Sequence, residues 1–291
     1  MNERIGSETA GPEAPGPQGA GSPTPRRTNV ALIVTSIVGG VLLLAAIGAA
    51  ATAGVLSLTR SGAAQTLTAD ARGIAELDID ASSADFRIVY DDAAEPGSAV
   101  LEAGDGDREW VLRRDGETLV AEPRSGFSWN WLRFGPGVEQ TVVLHLPGEL
   151  RETRLDAELE LSSGSLRAEG RFGELDIDVS SGMLTVEGEA RSLDIDVSSG
   201  RAEFRLADVE EASLGLSSGD LVGEFSGAAP REVEIEVSSG RAEATLPDVP
   251  YAVAERVSSG TVDNRLRTDP ASRNGIEVGV SSGAVVLRPA G

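Results

Sequence analysis

The chain has 291 residues, of which 40% are hydrophobic but only 4% aromatic, and a formal charge of −22 from 25 basic and 47 acidic side chains. Such an acidic surface repels phosphate backbones, which argues against nucleic acid as a partner. The chain has no cysteine, so disulfides, thiolate nucleophiles and cysteine-based metal sites are excluded.

The first 58 residues predict a tail followed by a membrane anchor. Residues 1–29 are rich in glycine, proline, serine and glutamate and predict a disordered tail. Residues 30–58 lie within 32 uncharged residues between Arg27 and Arg60. Since about 20 apolar residues span the hydrocarbon core, they predict a single transmembrane helix.

The arginines flanking this segment predict its orientation. Arg26 and Arg27 directly precede it, so the positive-inside rule places the N-terminus in the cytoplasm. We therefore expect a single-pass protein of the cell membrane, with a linker at 59–73 and an extracytoplasmic domain at 74–291. The alternative is a cleaved signal peptide, because Ala51-Thr52-Ala53 resembles a small-residue cleavage site.

The downstream domain repeats the pattern Leu-x-Ile-x-Val-Ser-Ser-Gly, clearest at residues 175–182 and 193–200. Its Ser-Ser-Gly element recurs at intervals of 18 to 23 residues, ending at Gly164, Gly182, Gly200, Gly219, Gly240, Gly260 and Gly283. A period of this length indicates an all-β fold, a single-stranded, β-helix-like solenoid with rungs of about 18–21 residues. Residues 77–83 resemble an earlier copy, with Ala84 in place of glycine.

Alternation within each copy predicts which side chains are buried. Leu175, Ile177 and Val179 share one face of a strand, and Asp176 and Asp178 share the other. Glycine permits a positive φ at the corner, and continued alternation would turn the second serine inward. The serines involved are Ser181, Ser199, Ser239 and Ser282. Glu255 occupies an expected inward position, which predicts either a bulge or a buried carboxylate.

The outward acids predict two columns of carboxylates along one face, formed by Asp176, Asp178, Asp194, Asp196, Glu234 and Glu236. Nearby arginines would offset their repulsion, namely Arg201, Arg205, Arg231 and Arg241. Calcium could bridge such columns, but the Gly- and Asp-rich turns of calcium-binding β-rolls are absent. We expect a solvated face with no metal and no cofactor.

Residues 91–150 interrupt the pattern and predict short strands at 110–112, 119–121 and 142–144. Within this insertion lies a glycine-flanked aromatic loop, residues 127–134, which contains Phe127, Trp129, Trp131 and Phe134. Such a loop could stack on sugar rings, insert at a membrane interface or form a protein hot spot. It could equally plug an open end of the domain. It is the candidate binding loop.

Enzyme chemistry finds little support in the sequence. The one histidine, His145, alternates away from Leu144 and Leu146 and has no partner identifiable from the sequence. The Ser-Ser-Gly element lacks a neighbouring histidine or lysine that would activate its serines. We predict that the protein is not an enzyme, although carboxylate-based glycan chemistry on the acidic columns stays open as an alternative.

The copies at 175–182 and 193–200, with residues 142–147 leading into 155–164, resemble the bacterial putative adhesin domain family, whose function is unknown. The resemblance implies a repetitive β-strand protein of the cell envelope. The membrane anchor, the repeats and the aromatic loop favour a noncatalytic surface protein for adhesion or envelope interactions, with envelope proteins or cell-wall glycans as partners. Envelope-stress sensing, reported inside by the tail, is the second hypothesis.

Overall fold

The computed structural model describes residues 64–106, 108–124 and 140–291. The predicted tail, the predicted transmembrane helix at 30–58 and the aromatic loop at 127–134 lie outside these ranges. Within them, no helix is both long enough and apolar enough to cross a membrane.

The described residues form sixteen strands and one 3₁₀ helix, Gly148–Glu152. The strands are β1 Gln65–Asp70, β2 Glu76–Asp80, β3 Ala84–Asp91, β4 Ser98–Ala103, β5 Trp110–Asp115, β6 Thr118–Pro123, β7 Gln140–Pro147, β8 Leu155–Leu161, β9 Gly164–Ala207, β10 Glu211–Ser226, β11 Glu232–Val237, β12 Arg241–Leu246, β13 Ala252–Val257, β14 Thr261–Asn264, β15 Gly275–Val280 and β16 Ala284–Pro289. The all-β class is therefore confirmed, and β5, β6 and β7 lie where the sequence predicts strands. β1 lies within the stretch predicted as a linker.

The predicted β-solenoid is wrong. All sixteen strands belong to one hydrogen-bonded sheet, which curls until it is nearly closed. Two sides of this sheet are named here: the first wall contains β6, β2, β8, β11, β15 and β13, and the second wall contains β1, β4, β7, β3, β12, β16 and β14. The long strands β9 and β10 pass through both walls and join them.

Two features of the strand pairing differ from an unbroken stack of copies. β1, β4 and β7 pair antiparallel, and β5 and β6 form an antiparallel hairpin. At the other end the strand order departs from chain order, because β15 lies between β11 and β13, and β16 lies between β12 and β14. The last two copies of the pattern therefore exchange places.

The core is built by alternation along the parallel strands. Leu175, Ile177 and Val179 are each at most 1% exposed, and equivalent aliphatic residues follow on the neighbouring strands. Phe204 and Phe225 add an edge-to-face contact with ring centroids 5.1 Å apart. Burying each large aliphatic side chain contributes roughly 1.5–3 kcal/mol relative to exposure, so the walls stabilise one another through this interior.

Trp110 and Gln140 close the interior near the antiparallel end. The Trp110 ring packs against Phe86 with centroids 5.5 Å apart, and its Nε1 donates to Gln140 Oε1 at 3.2 Å. Gln140, only 2% exposed, donates in turn from Nε2 to the carbonyl of Gly104 at 2.8 Å. A buried polar side chain is tolerated there because hydrogen bonds satisfy it.

The Ser-Ser-Gly elements form the corners between the walls. The predicted positive φ holds at four corner glycines, with 97° at Gly164, 124° at Gly182 and Gly219, and 128° at Gly240. It does not hold at Gly200, Gly260 and Gly283, whose φ lies outside this region. The predicted inward orientation of the second serine is wrong, since Ser181, Ser199, Ser239 and Ser282 are all exposed. The bend at the corner interrupts the alternation, so both serines of these elements lie outside. In the first copy Ser83, with φ 57°, makes the bend and Ala84 occupies the glycine position.

Candidate functional site

The outer side of the first wall carries two columns of carboxylates, which we call the acidic face. In-register parallel pairing aligns Asp78 with Glu158 and Asp80 with Glu160, and these in turn with Asp176 and Asp178. The acidic face comprises Asp78, Asp80, Glu158, Glu160, Asp176, Asp178, Asp194, Asp196, Glu234 and Glu236. The columns predicted from the sequence are confirmed and extend further along the wall than predicted.

Small residues interrupt both columns on β10. Ser213 follows Asp194 in one column, and Gly215 follows Asp196 in the other. A Cβ atom at Gly215 would overlap Asp196 Oδ1, and one at Gly279 would overlap the Glu236 carboxylate. Glycine therefore gives these carboxylates room to lie over the neighbouring strand.

Partial burial and like-charge neighbours raise the pKa of these carboxyls. For Asp194, burial is the larger cause, repulsion from Asp176 and Asp196 adds to it, and the pKa rises to about 6. The same causes, burial first, raise the pKa of Asp78, Glu158, Glu160, Asp176, Asp178 and Glu234. In each of these seven carboxyls the local environment therefore disfavours the ionised form.

Ion pairs are distributed unequally between the two walls. On the second wall Arg205 lies 2.6 Å from Glu187, and Arg288 lies 2.7 Å from Glu243. Among the described residues, none of the six central carboxylates of the acidic face has an ion-pair partner, namely Glu158, Glu160, Asp176, Asp178, Asp194 and Asp196. At the C-terminal end of the acidic face, Arg256 approaches Glu236 at 3.9 Å.

The arginines predicted to offset the columns lie elsewhere. Arg201 pairs with Asp220 at 2.8 Å, and Arg231 pairs with Glu210 at 2.6 Å. Arg205 belongs to the second wall, and Arg241 aligns with Asp220 and Ala284 there. That part of the prediction is wrong. Arg201, Arg205 and Arg241 follow corner glycines and so enter the opposite wall, whereas Arg231 directly precedes β11 and is occupied by Glu210.

A shallow open hollow of about 360 Å³ lies at one side of the acidic face, where its strands begin. Its charged lining is Glu174, Asp176, Asp194, Glu211, Glu232 and Glu234. Leu175, Leu193 and Ala212 also line it. The sequence analysis did not predict this hollow.

Within the described ranges, no group of three or more histidine or acidic residues has the arrangement needed to hold a metal ion. His145 is half-buried on β7, with Nδ1 3.9 Å from Asp91 Oδ2 and Nε2 3.8 Å from Glu102 Oε2. The two carboxylates come from β3 and β4, which is why the sequence did not reveal them as partners. Both separations exceed hydrogen-bond distance.

No protein-family model matches the chain, and no curated protein matches it either. Among solved structures, a putative adhesin from Parabacteroides distasonis is 14% identical, with a TM-score of 0.38, covering 77% of this chain and 97% of that one. A putative cell adhesion protein from Clostridium sporogenes is 13% identical, with a TM-score of 0.34, covering 79% of this chain and 100% of that one. A putative lipid binding protein from P. distasonis is 16% identical, with a TM-score of 0.36, covering 79% and 98%.

These structures are described as putative adhesion and lipid-binding proteins, and the adhesin-like resemblance stays a prediction from the sequence. Sequence identity and TM-score are both too low to transfer a function to this chain. Its own surface chemistry is the remaining guide to what it binds.

Proposed function

We propose that this protein is a noncatalytic surface protein that uses its acidic face to bind a positively charged segment of an envelope protein. The observation that carries the proposal is the central part of the acidic face, where six regularly spaced carboxylates lack ion-pair partners among the described residues. A row of arginine or lysine side chains would relieve the repulsion between them. Complementary charge of this kind increases both the specificity and the rate of association.

The shape of the acidic face supports a broad, non-enclosed contact. The carboxylates lie on the outer surface of a sheet whose inner side is packed with buried aliphatic residues, so their spacing is fixed by the strand ladder. Strands in a sheet are about 4.8 Å apart. An extended basic segment crossing the strands could therefore meet one or two carboxylates on each strand, without the sheet having to rearrange.

The proposal predicts that neutralising the acidic face weakens binding of a synthetic lysine-rich peptide. In the full chain, Asp176→Asn, Asp178→Asn, Asp194→Asn and Asp196→Asn together should lower the affinity about tenfold, since each 1.4 kcal/mol of lost interaction is a factor of ten. Isothermal titration calorimetry at two salt concentrations measures both the affinity and its electrostatic part.

The matched control neutralises four acids of the second wall, with the substitutions Glu187→Gln, Glu203→Gln, Glu224→Gln and Glu243→Gln. This variant has the same net charge as the first, so its affinity should change by less than about twofold if the acidic face is the binding surface. An equal loss in both variants would mean that the peptide responds to net charge alone, and the proposal would be abandoned.

We further propose that residues 30–58 anchor the protein in the cell membrane, with residues 1–29 in the cytoplasm and the acidic face outside. The sequence supports this through its long uncharged segment and the two arginines before it. Since the chain has no cysteine, Ser22→Cys and Ser218→Cys each introduce a unique thiol. In intact cells a membrane-impermeant maleimide should label only Ser218→Cys, and labelling of Ser22→Cys would contradict the orientation.

The aromatic loop, residues 127–134, is proposed as a second binding element. Its support is compositional: Phe127, Trp129, Trp131 and Phe134 occur together in a chain with few aromatic residues. Replacing Trp129 and Trp131 by alanine in the full chain should reduce attachment to purified envelope fragments several-fold. Replacing Trp110, which is buried, by phenylalanine is the control and should leave attachment unchanged; unchanged attachment in the loop variant as well would remove the loop from the proposal.

A further inference from the structure

The C-terminal edge of the sheet is formed by β13 and β14, which lie beyond β15 and β16. Among the described strands, β13 pairs with β15 alone and β14 pairs with β16 alone. On β13 the amide of Ala252 donates to Asn274 at 2.8 Å, and just beyond it Ser258 donates to Val280 at 2.9 Å. In a parallel ladder alternate residues direct their backbone groups to opposite sides, so Val253, Glu255 and Val257 direct theirs to the open side.

Unpaired backbone groups along an edge strand are a template for pairing with another chain. The segment that follows β14 covers part of this edge. Tyr251 donates to the carbonyl of Arg267 at 2.9 Å and accepts from the amide of Asp269 at 2.8 Å. This cover ends at Tyr251, and a hollow of about 630 Å³ lies between the covering segment and β13. Within the described ranges, the remainder of β13 has an open edge.

Glu255 occupies an inward register position on this edge. Its partner in the ladder is Val278, followed by Ile235 and Leu214, and all three are buried. The strand shows no bulge, because its register with β15 is continuous from Ala252 to Val257. The carboxylate is exposed instead of buried, so neither of the two outcomes predicted from the sequence occurs. The edge position of the strand is the reason.

Asn264 occupies the corresponding inward position on β14. Its ladder partner is the buried Leu287. Asn264 Nδ2 donates to Glu255 Oε1 at 3.2 Å, and Asn264 Oδ1 accepts from the amide of Leu266 at 3.0 Å. A hydrogen-bonded polar pair thus joins the two walls at the place where the apolar interior would otherwise reach the open edge.

We propose that the Glu255–Asn264 pair prevents the C-terminal edge from pairing with the same edge of a second copy of this chain. Two copies meeting through β13 would be related by a two-fold axis, and their strands would run antiparallel. If the inward faces are kept together, Glu255 lies opposite Glu255 of the other copy, or opposite Val253 or Val257. Every such register brings like charges together or buries an unpaired carboxylate, and both are strongly unfavourable.

The test restores the apolar residues that the neighbouring strands carry at these positions. The double variant Glu255→Ile with Asn264→Leu, made in the full chain in detergent micelles, should show about a twofold or greater increase in protein mass over the unsubstituted chain. Light scattering coupled to size exclusion measures the mass. The expected melting temperature is equal to or above that of the unsubstituted chain, because two aliphatic columns are completed.

Three further variants test whether an inward charge at the open edge is what prevents pairing. Glu234→Ile makes the same replacement on the outward side of β11, an interior strand, and should leave the mass unchanged. Adding Val253→Pro to the double variant removes an amide that faces the open edge, and should restore the original mass. Glu255→Lys breaks the bond to Asn264 but keeps an inward charge, so it should also leave the mass unchanged.

The proposal is overturned if the double variant keeps the mass of the unsubstituted chain. It is overturned equally if Glu255→Lys self-associates as the double variant does, since charge at this position would then not be what prevents pairing. Association accompanied by loss of the β-strand signal in circular dichroism would also overturn it, because the double variant would then be aggregating from an unfolded state.

Discussion

Replacing Gly182 by alanine is expected to lower the free energy of unfolding by about 3 kcal/mol or more, which is among the larger effects of a single substitution. Gly182 has φ 124°, a conformation that alanine rarely adopts. A Cβ atom there would lie 2.5 Å from the carbonyl oxygen of Gly164 on the neighbouring corner. The corner cannot easily shift, because corners on successive strands lie directly against one another.

Gly116 supplies the matched control. It has φ 63° in the turn between β5 and β6, and a Cβ atom there would meet nothing within 4 Å. Alanine at this position should cost only about 1–2 kcal/mol, the strain of the left-handed conformation. Because both variants make the same Gly-to-Ala change, their effects on the unfolded chain largely cancel in the comparison. Urea unfolding of both variants measures the difference, and equal losses would show that close packing at the corner is unimportant.

Much of the fold could be predicted because its strands follow local rules. Alternation identified Leu175, Ile177 and Val179 as buried and placed Asp176 and Asp178 on the outer side of the strand, and each assignment holds. The same alternation failed at the corners. Ser181 lies one residue before a glycine with positive φ, and a rule of period two does not continue through such a bend.

The strand order could not be predicted from the sequence. Residues 252–264 and 275–289 carry similar patterns, and either could hydrogen-bond to β11 and β12 in register. The structure places the later segment inside and the earlier one at the edge. Within these two segments, the polar residues Glu255 and Asn264 at inward positions indicate which segment lies at the edge. Polar side chains at such positions are best accommodated where the sheet ends.

The acidic face was predictable as a pattern but its electrostatics were not. Spacing alone aligned Asp176 with Asp194, whereas the ion pairs of Arg201 and Arg205 depend on which wall each residue enters after the corner. The raised pKa values depend on burial and on neighbours from adjacent strands. Sequence spacing gives no measure of burial.

These raised pKa values lead to the second large expected effect: the protein should become more stable as the pH falls from 8 to 5. A carboxyl whose pKa is raised in the folded protein holds its proton more tightly there than in the unfolded chain. Its contribution to stability is complete below the unfolded pKa of about 4 and is lost as the pH rises through the folded pKa, which is about 6 for Asp194. Seven carboxyls of the acidic face shift in this direction.

Asp194→Asn removes the largest single contribution to this gain in stability at low pH. A shift of this size corresponds to about 3 kcal/mol for a fully buried group. Asp194 is only half-buried, so solvent screening reduces the expected gain at pH 8 to about 1 kcal/mol. For a domain of this size that is roughly 2–4 °C in melting temperature. The variant should therefore melt higher than the unsubstituted chain at pH 8 and should gain less on acidification.

Asp263→Asn is the control with the opposite sign. Its hydrogen bond and ion pair with Arg265 lower the pKa of Asp263, so its stabilising effect is present at neutral pH and is lost only as the pH falls below about 4. Neutralising it should lower the melting temperature at pH 8 and leave the rise toward pH 5 intact. Differential scanning calorimetry across this range distinguishes the two variants. If the unsubstituted chain instead loses stability steadily from pH 8 to 5, the carboxylates of the acidic face are not held under mutual repulsion, and a cationic partner would have no repulsion to relieve.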